Sequence, residues 1–309
     1  MAGRLRLLSG DGHRFRRYEA KTFAVTGGLA FAYVLAVVFT VLEGAEFFLG
    51  VSIKGLWGLV AAFTISTLIG VGTGWRRSRL GRFEEKVNRR HSVEIVVGDF
   101  IETVRHAERA NCVFGVNDAF SVVGLKNGSV HSDFLKHFCK ELSVEQKQAA
   151  LDACLPAPAR TSPVDPLSGR VIYPYGTVGQ LAFRVPSESE DRDAFLIVNS
   201  TRRNDSAYSG DGSSRDLLDR VWQKHEELKL VSERVVFALV GTGHSHDLDW
   251  TAAVVAIVDA FFRHLDRPVV RIRRLVVSVP ERAVEDGWVD LEAVHAFVRA
   301  RSSVHRASL

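Results

Sequence analysis

The side chains best suited to chemistry in this 309-residue chain gather where short apolar runs end. Val96-Val97-Gly98-Asp99-Phe100-Ile101 puts Asp99 just past such a run, where its carboxylate can accept a hydrogen bond from an exocyclic amine. Val113-Phe114-Gly115-Val116-Asn117-Asp118-Ala119-Phe120 ends another on Asn117 and Asp118. Tyr173-Pro174-Tyr175-Gly176-Thr177 is a turn that carries a glycine and a hydroxyl. Leu239-Val240-Gly241-Thr242-Gly243-His244-Ser245 is a glycine-rich loop ahead of a helix starting near Asp249, and its backbone N–H groups can cradle a diphosphate. Alone, a Gly-Thr-Gly after a strand is more often a tight turn than a phosphate site. Four such segments in order suit a dinucleotide-like ligand. No Ser/His/Asp or metal-ligating constellation accompanies them. His131, His244 and His246 each read first as solvated or hydrogen-bonded loop residues. Cys112, Cys139 and Cys154 have neither disulfide-framework nor zinc spacing and read as packing residues.

The elements that must position these residues alternate. Val93–Val97, Cys112–Val116, Leu181–Val185, Phe195–Val198, Val235–Val240 and Leu275–Val279 read as strands. Helices fit Asp133–Leu142, Arg215–Lys229 with Ser213 or Ser214 as N-cap, Asp249–Leu265 and Leu291–Arg299. Pro156–Gly169 reads as an exposed loop. The pattern predicts a three-layer α/β domain with a parallel or mixed sheet over residues 91–309, whose ligand sits at the carboxyl ends of the strands.

Upstream the composition changes. Residues 22–42 and 55–74 carry no charge, and at about 1.5 Å of rise per residue each run is long enough to span a bilayer. The flanks are basic: residues 1–21 hold Arg4, Arg6, Arg14, Arg16, Arg17 and Lys21, and residues 75–90 hold Arg76, Arg77, Arg79, Arg82, Lys86, Arg89 and Arg90. The turn between the runs holds Glu43, Glu46 and Lys54. The positive-inside rule then predicts a transmembrane hairpin over 22–74 with both termini cytoplasmic, and a basic juxtamembrane linker at 75–90. A signal peptide fits less well, since the first run is too long for an h-region and no cleavage site follows. With the basic charge in the flanks, residues 91–309 are net acidic and supply no patch for nucleic acid.

Small residues recur every fourth position in both runs: Gly28, Ala32 and Ala36 in the first, Gly58, Ala62, Ser66, Gly70 and Gly74 in the second. Such rows let helix backbones approach closely in lipid, within a hairpin or between hairpins. Neither run holds an ionisable residue, which argues against a conventional transporter.

The ordered strand ends resemble the macro domain, an ADP-ribose-binding α/β module. Gly98-Asp99-Phe100 is similar to its Gly-Asp-hydrophobic strand end, Val116-Asn117 to its Val-Asn motif, and Gly241-Thr242-Gly243 to its second phosphate loop. Two departures stand out. Asn117-Asp118-Ala119-Phe120 replaces the usual Asn-Ala-Ala-Asn, and Asn127-Gly128-Ser129-Val130-His131-Ser132-Asp133-Phe134 stands where the glycine-rich first phosphate loop belongs. With Tyr173-Pro174-Tyr175-Gly176-Thr177, these departures look like the divergent macro domain of Thoeris anti-phage effectors, one branch of which carries two transmembrane helices ahead of it.

That resemblance implies a receptor in the inner membrane. A TIR-domain partner would make a histidine–ADP-ribose signal. Asp99, Phe100, Asn117, Asp118, Ser129, His131, Gly176, Thr177 and Gly241–Ser245 (Gly241, Thr242, Gly243, His244, Ser245) would bind it. Assembled hairpins would then disrupt the membrane, with no resident cofactor or metal and no catalysis. Two other readings remain: a membrane-tethered ADP-ribosyl hydrolase, against which the missing glycine-rich loop speaks, and an anchor with no ligand.

Overall fold

The computed structural model describes residues 23–38, 40–41, 63–72 and 82–308, except 124, 126, 157–161, 166–167, 186–187, 204–205, 210–213, 229–232, 241–248 and 266–271. Contacts divide the chain into two units, Met1–Arg82 and Phe83–Leu309.

In the first unit, residues 23–38 and 40–41 are helical (α1), and so are 63–72 (α2). Among the described residues no helix is long and apolar enough to cross a membrane. The remainder of the two apolar runs, with Gly58, Ala62 and Gly74, lies outside them. The helices approach closely: a Cβ built on Gly70 would stand 2.8 Å from the Gly27 carbonyl oxygen and 3.0 Å from Phe31 Cβ. Phe31 meets Phe63 edge-on at 5.3 Å. Ser66 and Gly70 are buried in that contact. The first run differs from the expected row: Gly28, Ala32 and Ala36 are exposed, and nothing lies within 4 Å of a Cβ on Gly28. Gly27, one position earlier and about 100° around the helix, is buried instead.

The second unit contains β1 (Arg82–Lys86), β2 (Ser92–Val97), α3 (Phe100–His106), β3 (Ala110–Asn117), α4 (Val130–Phe138), α5 (Val144–Ala153), β4 (Val178–Arg184), β5 (Asp191–Arg203) and β6 (Ser206–Ser209). After them come α6 (Ser214–Glu227), β7 (Arg234–Ala238), α7 (Trp250–Leu265), β8 (Arg274–Val279), α8 (Glu281–Glu285) and α9 (Leu291–Ser308). One sheet holds the strands in the order β1-β2-β8-β7-β3-β5-β4, with β6 paired to β5. β2, β8, β7, β3 and β5 run parallel, while β4 and β6 run antiparallel to β5. The sheet is mixed, as the alternating pattern predicts.

Register shows which helices cover which face. Val113 pairs with Phe195 on one side and Phe237 on the other, so all three point the same way. There Phe195 meets His225 at 4.2 Å and Phe237 meets Trp222 at 5.3 Å, both on α6. Trp222 in turn packs on Phe261 of α7, and Phe262 of α7 on His305 of α9. Phe114, the next residue of β3, points to the opposite face and meets Phe100 of α3 at 6.0 Å and Phe134 of α4 at 4.7 Å. Helices on both faces make the three layers.

The basic stretch expected as a linker differs in its second half. Residues 82–86 form edge strand β1, and Phe83 stacks on His295 of α9 at 4.1 Å under the Arg299 guanidinium. Its alternating charges read as solvated sequence because edge strands are commonly charged.

Two buried histidines give the second unit a pH signature. Burial lowers His131 to about 4 and His225 to about 3, and neither ring has a hydrogen-bond partner among the described residues. Unfolded, both take up a proton near pH 6.5. Their neutral burial is therefore free of penalty above that pH and costs about 1.4 kcal/mol per unit per histidine as pH falls toward 4. Urea unfolding at about pH 7.5 and about pH 5 should show this loss, and His131→Leu with His225→Leu should make it shallower, leaving the share of His295, which burial also lowers to about 4. Equal slopes in parent and variant would mean other groups control acid unfolding.

Candidate functional site

Because β2, β8, β7, β3 and β5 are parallel, all five release their chains at one edge of the sheet. Asp99 follows β2 there. It is exposed, and one carboxylate oxygen accepts the Glu102 N–H at 3.0 Å as the N-cap of α3. Gly98 is held by its N–H donating to Val279 O at 2.8 Å and by Ser278 Oγ donating to its carbonyl at 3.2 Å. The Asp99 backbone is thus tied to the end of β8.

Three strand spacings away, at about 4.8 Å each, β3 ends on Asn117. Asn117 Oδ1 lies 3.4 Å from the Ser121 N–H, and Phe120 N–H donates to Asn117 O at 3.2 Å, closing a tight turn. Phe120 takes φ +44° there, in the left-handed region that bulky residues avoid, and stays because its ring is fully buried edge-on against Tyr173 at 5.5 Å. Asp118 is a joint: its N–H donates to Ser200 O at 3.0 Å, and its carbonyl accepts from Tyr173 N–H at 2.9 Å. Its side chain is buried.

The Tyr173–Thr177 turn is fastened to β5. Gly176 N–H donates to Val198 O at 2.8 Å, and Val198 N–H donates to Thr177 O at 2.9 Å. Gly176 needs its φ of +79°, and Arg220 Cδ would stand 3.0 Å from a Cβ there. Gly176 and Thr177 line a polar cleft of about 660 Å³ with Arg220, Lys224 and Glu227 of α6. Cys154 also lines it, but burial pushes its thiol up to about 11, consistent with packing.

The structure brings Asp99, Asn117, Asp118, Gly176 and Thr177 to the strand-exit edge. Phe100 and His131 point elsewhere: both lie in the core on the α3–α4 face, against Phe114. Ser129 caps α4 by accepting the Ser132 N–H at 3.2 Å. Gly241, Thr242, Gly243, His244 and Ser245 lie outside the described residues, directly after β7 in the chain. Sequence reading missed Asn199. Its amide covers Gly115, where a Cβ would stand 2.4 Å from Nδ2. The signal was there in a glycine inside an apolar strand, which marks close approach by another group. Among the described residues no cluster of side chains suits a metal.

No family model matches the chain, and no curated protein does. Solved structures give similarities at low identity. An Oceanobacillus iheyensis macrodomain with ADP is 16% identical, covering 74% of this chain and 98% of that one at a TM-score of 0.44. A Trypanosoma brucei macrodomain in complex with ADP-ribose is 13% identical over 68% of this chain and 72% of that one, TM-score 0.43. Thermosipho africanus DarTG in complex with ADP-ribose is 13% identical over 65% of this chain and 46% of that one, TM-score 0.40. The fold assignment above rests on strand order and register.

Gly115 gives a direct check of the packing at this edge. Gly115→Ala should destabilise the protein by about 1–3 kcal/mol through overpacking against Asn199. Adding Asn199→Ala should recover most of that loss in a double-mutant cycle by urea unfolding. Additive losses would place the clash elsewhere.

Proposed function

We propose that the second unit binds an ADP-ribose-derived nucleotide across the strand-exit edge without turning it over. The observation that carries this reading is the separation of Asp99 from Asn117. They stand at either end of the run β2-β8-β7-β3, roughly 14 Å apart by strand count, and the glycine-rich segment 241–245 follows β7 in sequence. An elongated ligand fits this order: a base amine at Asp99, a diphosphate at the glycine-rich loop and a distal ribose toward Asn117. Asn117, Asp118 and the Tyr173–Thr177 turn are fixed by backbone hydrogen bonds, which suits recognition.

The resemblance to Thoeris effectors completes the reading. The signal is histidine–ADP-ribose made by a TIR-domain enzyme, and the apolar runs 22–42 and 55–74 form a hairpin in the inner membrane. Ligand binding drives hairpins to assemble and to breach the membrane during phage infection. The α1–α2 contact at Gly27 and Gly70 supports a hairpin that closes on itself, leaving Gly28, Ala32 and Ala36 as the row available to a neighbouring copy.

Calorimetry with ADP-ribose, histidine–ADP-ribose and NAD tests the site. Asp99→Ala should weaken binding by about 1.5–3 kcal/mol, the usual worth of a hydrogen bond to a charged group. It also removes the α3 cap, so Asp99→Ser, which keeps a capping oxygen, separates the two effects. Ser should restore stability but not affinity. Unchanged affinity in both variants, or steady release of product from the ligand, sinks the receptor reading.

The membrane step has its own test. Gly70→Leu should break the α1–α2 contact and reduce the level of membrane-resident protein. Gly28→Leu should leave that level and the ligand affinity intact while abolishing permeabilisation. Permeabilisation by Gly28→Leu at the parent level would show that this row is not the assembling face.

A further inference from the structure

The amino ends of β2 and β8 open into a second cleft, of about 770 Å³, at the edge of the sheet opposite Asp99. Its lining is one-sided. Lys86, Arg89, Arg90, His91, Arg274 and Arg306 face it, and among the described residues no carboxylate does. Six residues of β2 separate it from the strand-exit edge, about 20 Å at 3.3 Å per residue.

Three elements build it. Parallel pairing sets Ser92 beside Arg274. Arg306, in the last turns of α9, donates to Lys86 O at 2.7 Å and so closes one side. The turn between β1 and β2 is locked: Val87 N–H donates to His91 O at 2.9 Å, and Asn88 Oδ1 accepts the N–H groups of Arg90 and His91 at 2.8 and 2.9 Å. That lock fixes the backbone bearing Arg89 and Arg90 and leaves both side chains exposed.

The cations fall into two groups. Arg274 is pinned by Glu84 at 3.0 Å and Glu94 at 3.3 Å, and Arg306 by Glu85 at 3.2 Å. These carboxylates hold the guanidiniums in place from outside the lining. Lys86, Arg89 and Arg90 have no carboxylate within salt-bridge distance among the described residues. Gathering like charges without counter-charge costs stability, and an anion entering the cleft relieves that cost. His91 is held neutral beside them by burial, then by His305 and Arg90, so it adds hydrogen-bonding capacity rather than further charge. Arginine forks match a tetrahedral oxyanion better than they match most other groups.

We propose that this cleft is a second anion site that takes a phosphate-bearing group, independent of the strand-exit site. A phospholipid headgroup and free phosphate share this chemistry. The cleft's basic turn continues the basic stretch 75–90 that follows the second apolar run in sequence.

The test uses the full chain in neutral detergent, titrated in a calorimeter with inorganic phosphate and, separately, with short-chain phosphatidylglycerol and phosphatidylcholine. The parent should bind phosphate and phosphatidylglycerol. Arg89→Glu with Arg90→Glu should weaken both at least tenfold, whereas Arg89→Lys with Arg90→Lys, which keeps the charge, should stay within about threefold. Circular dichroism of both variants should match the parent. Phosphatidylglycerol binding at least tenfold tighter than phosphate, with none for phosphatidylcholine, supports the site with a lipid headgroup as its source. Equal affinities support it with a soluble anion. No binding by the parent at millimolar concentration, or equal binding by the charge-reversed variant, overturns the proposal. The readout needs no ADP-ribose, so it stands or falls apart from the strand-exit site.

Discussion

A parallel ladder must be covered on both faces, and five adjacent parallel strands impose that demand on the rest of the second unit. β2 is buried along its whole length, and β3, β7 and β8 nearly so. Each connection between parallel strands has to cross from one end of the sheet to the other, so helices occupy the two faces as a consequence of the ladder. The same geometry sorts the polar residues. Most side chains along the strands are committed to the core, Glu94 being buried but paired with Arg274, and the two ends of the ladder carry the exposed charge. One end bears Asp99 and Asn117, the other the basic cleft around Arg274. The division of chemistry between two edges follows from the ladder itself.

This demand also explains what was legible. Strands covered on both faces read as unbroken apolar runs, so β2, β3, β7 and β8 stood out, as did the apolar middle of β5. Helices α6 and α7 showed because each presents a broad apolar face to the sheet. Elements that bury little left no such trace. β1 alternates charge because it lies at the edge, β6 is four residues long, and α5 buries only Leu151. α3 was hidden differently: it begins on the residue after Asp99, so its cap read only as a ligand-binding carboxylate. That carboxylate already has a structural duty, which sequence alone did not separate from recognition.

At the candidate site, residue type drew attention to Asp99, Asn117 and Gly176, which the fold carries to the strand-exit edge, while residues that matter by geometry gave no signal of their own. Phe120 gave none, since nothing about a phenylalanine announces a positive φ; only burial against Tyr173 makes that conformation tolerable. Asn199 was likewise hidden inside the long run of β5, although Gly115 opposite it is the vacancy its amide fills. His131 differs from both expectations. Its type suggested a solvated loop residue and the resemblance a ligand contact, but the first turn of α4 turns it inward, where burial keeps it neutral.

The inward histidines bear on what the strand-exit edge can do. A general base must reach the proton it abstracts and have a pKa near the working pH. His131 and His225 do neither, being enclosed and lowered to about 4 and about 3. Asp99 lends one oxygen to the α3 cap, and Asn117 and Asp118 are fixed through the turn and β5. These fixed groups are the ones that the proposed binding reading uses. Under that proposal, a ligand that bridges β2 and β3 also crosses the exits of β8 and β7, so its contacts are spread over four neighbouring strands.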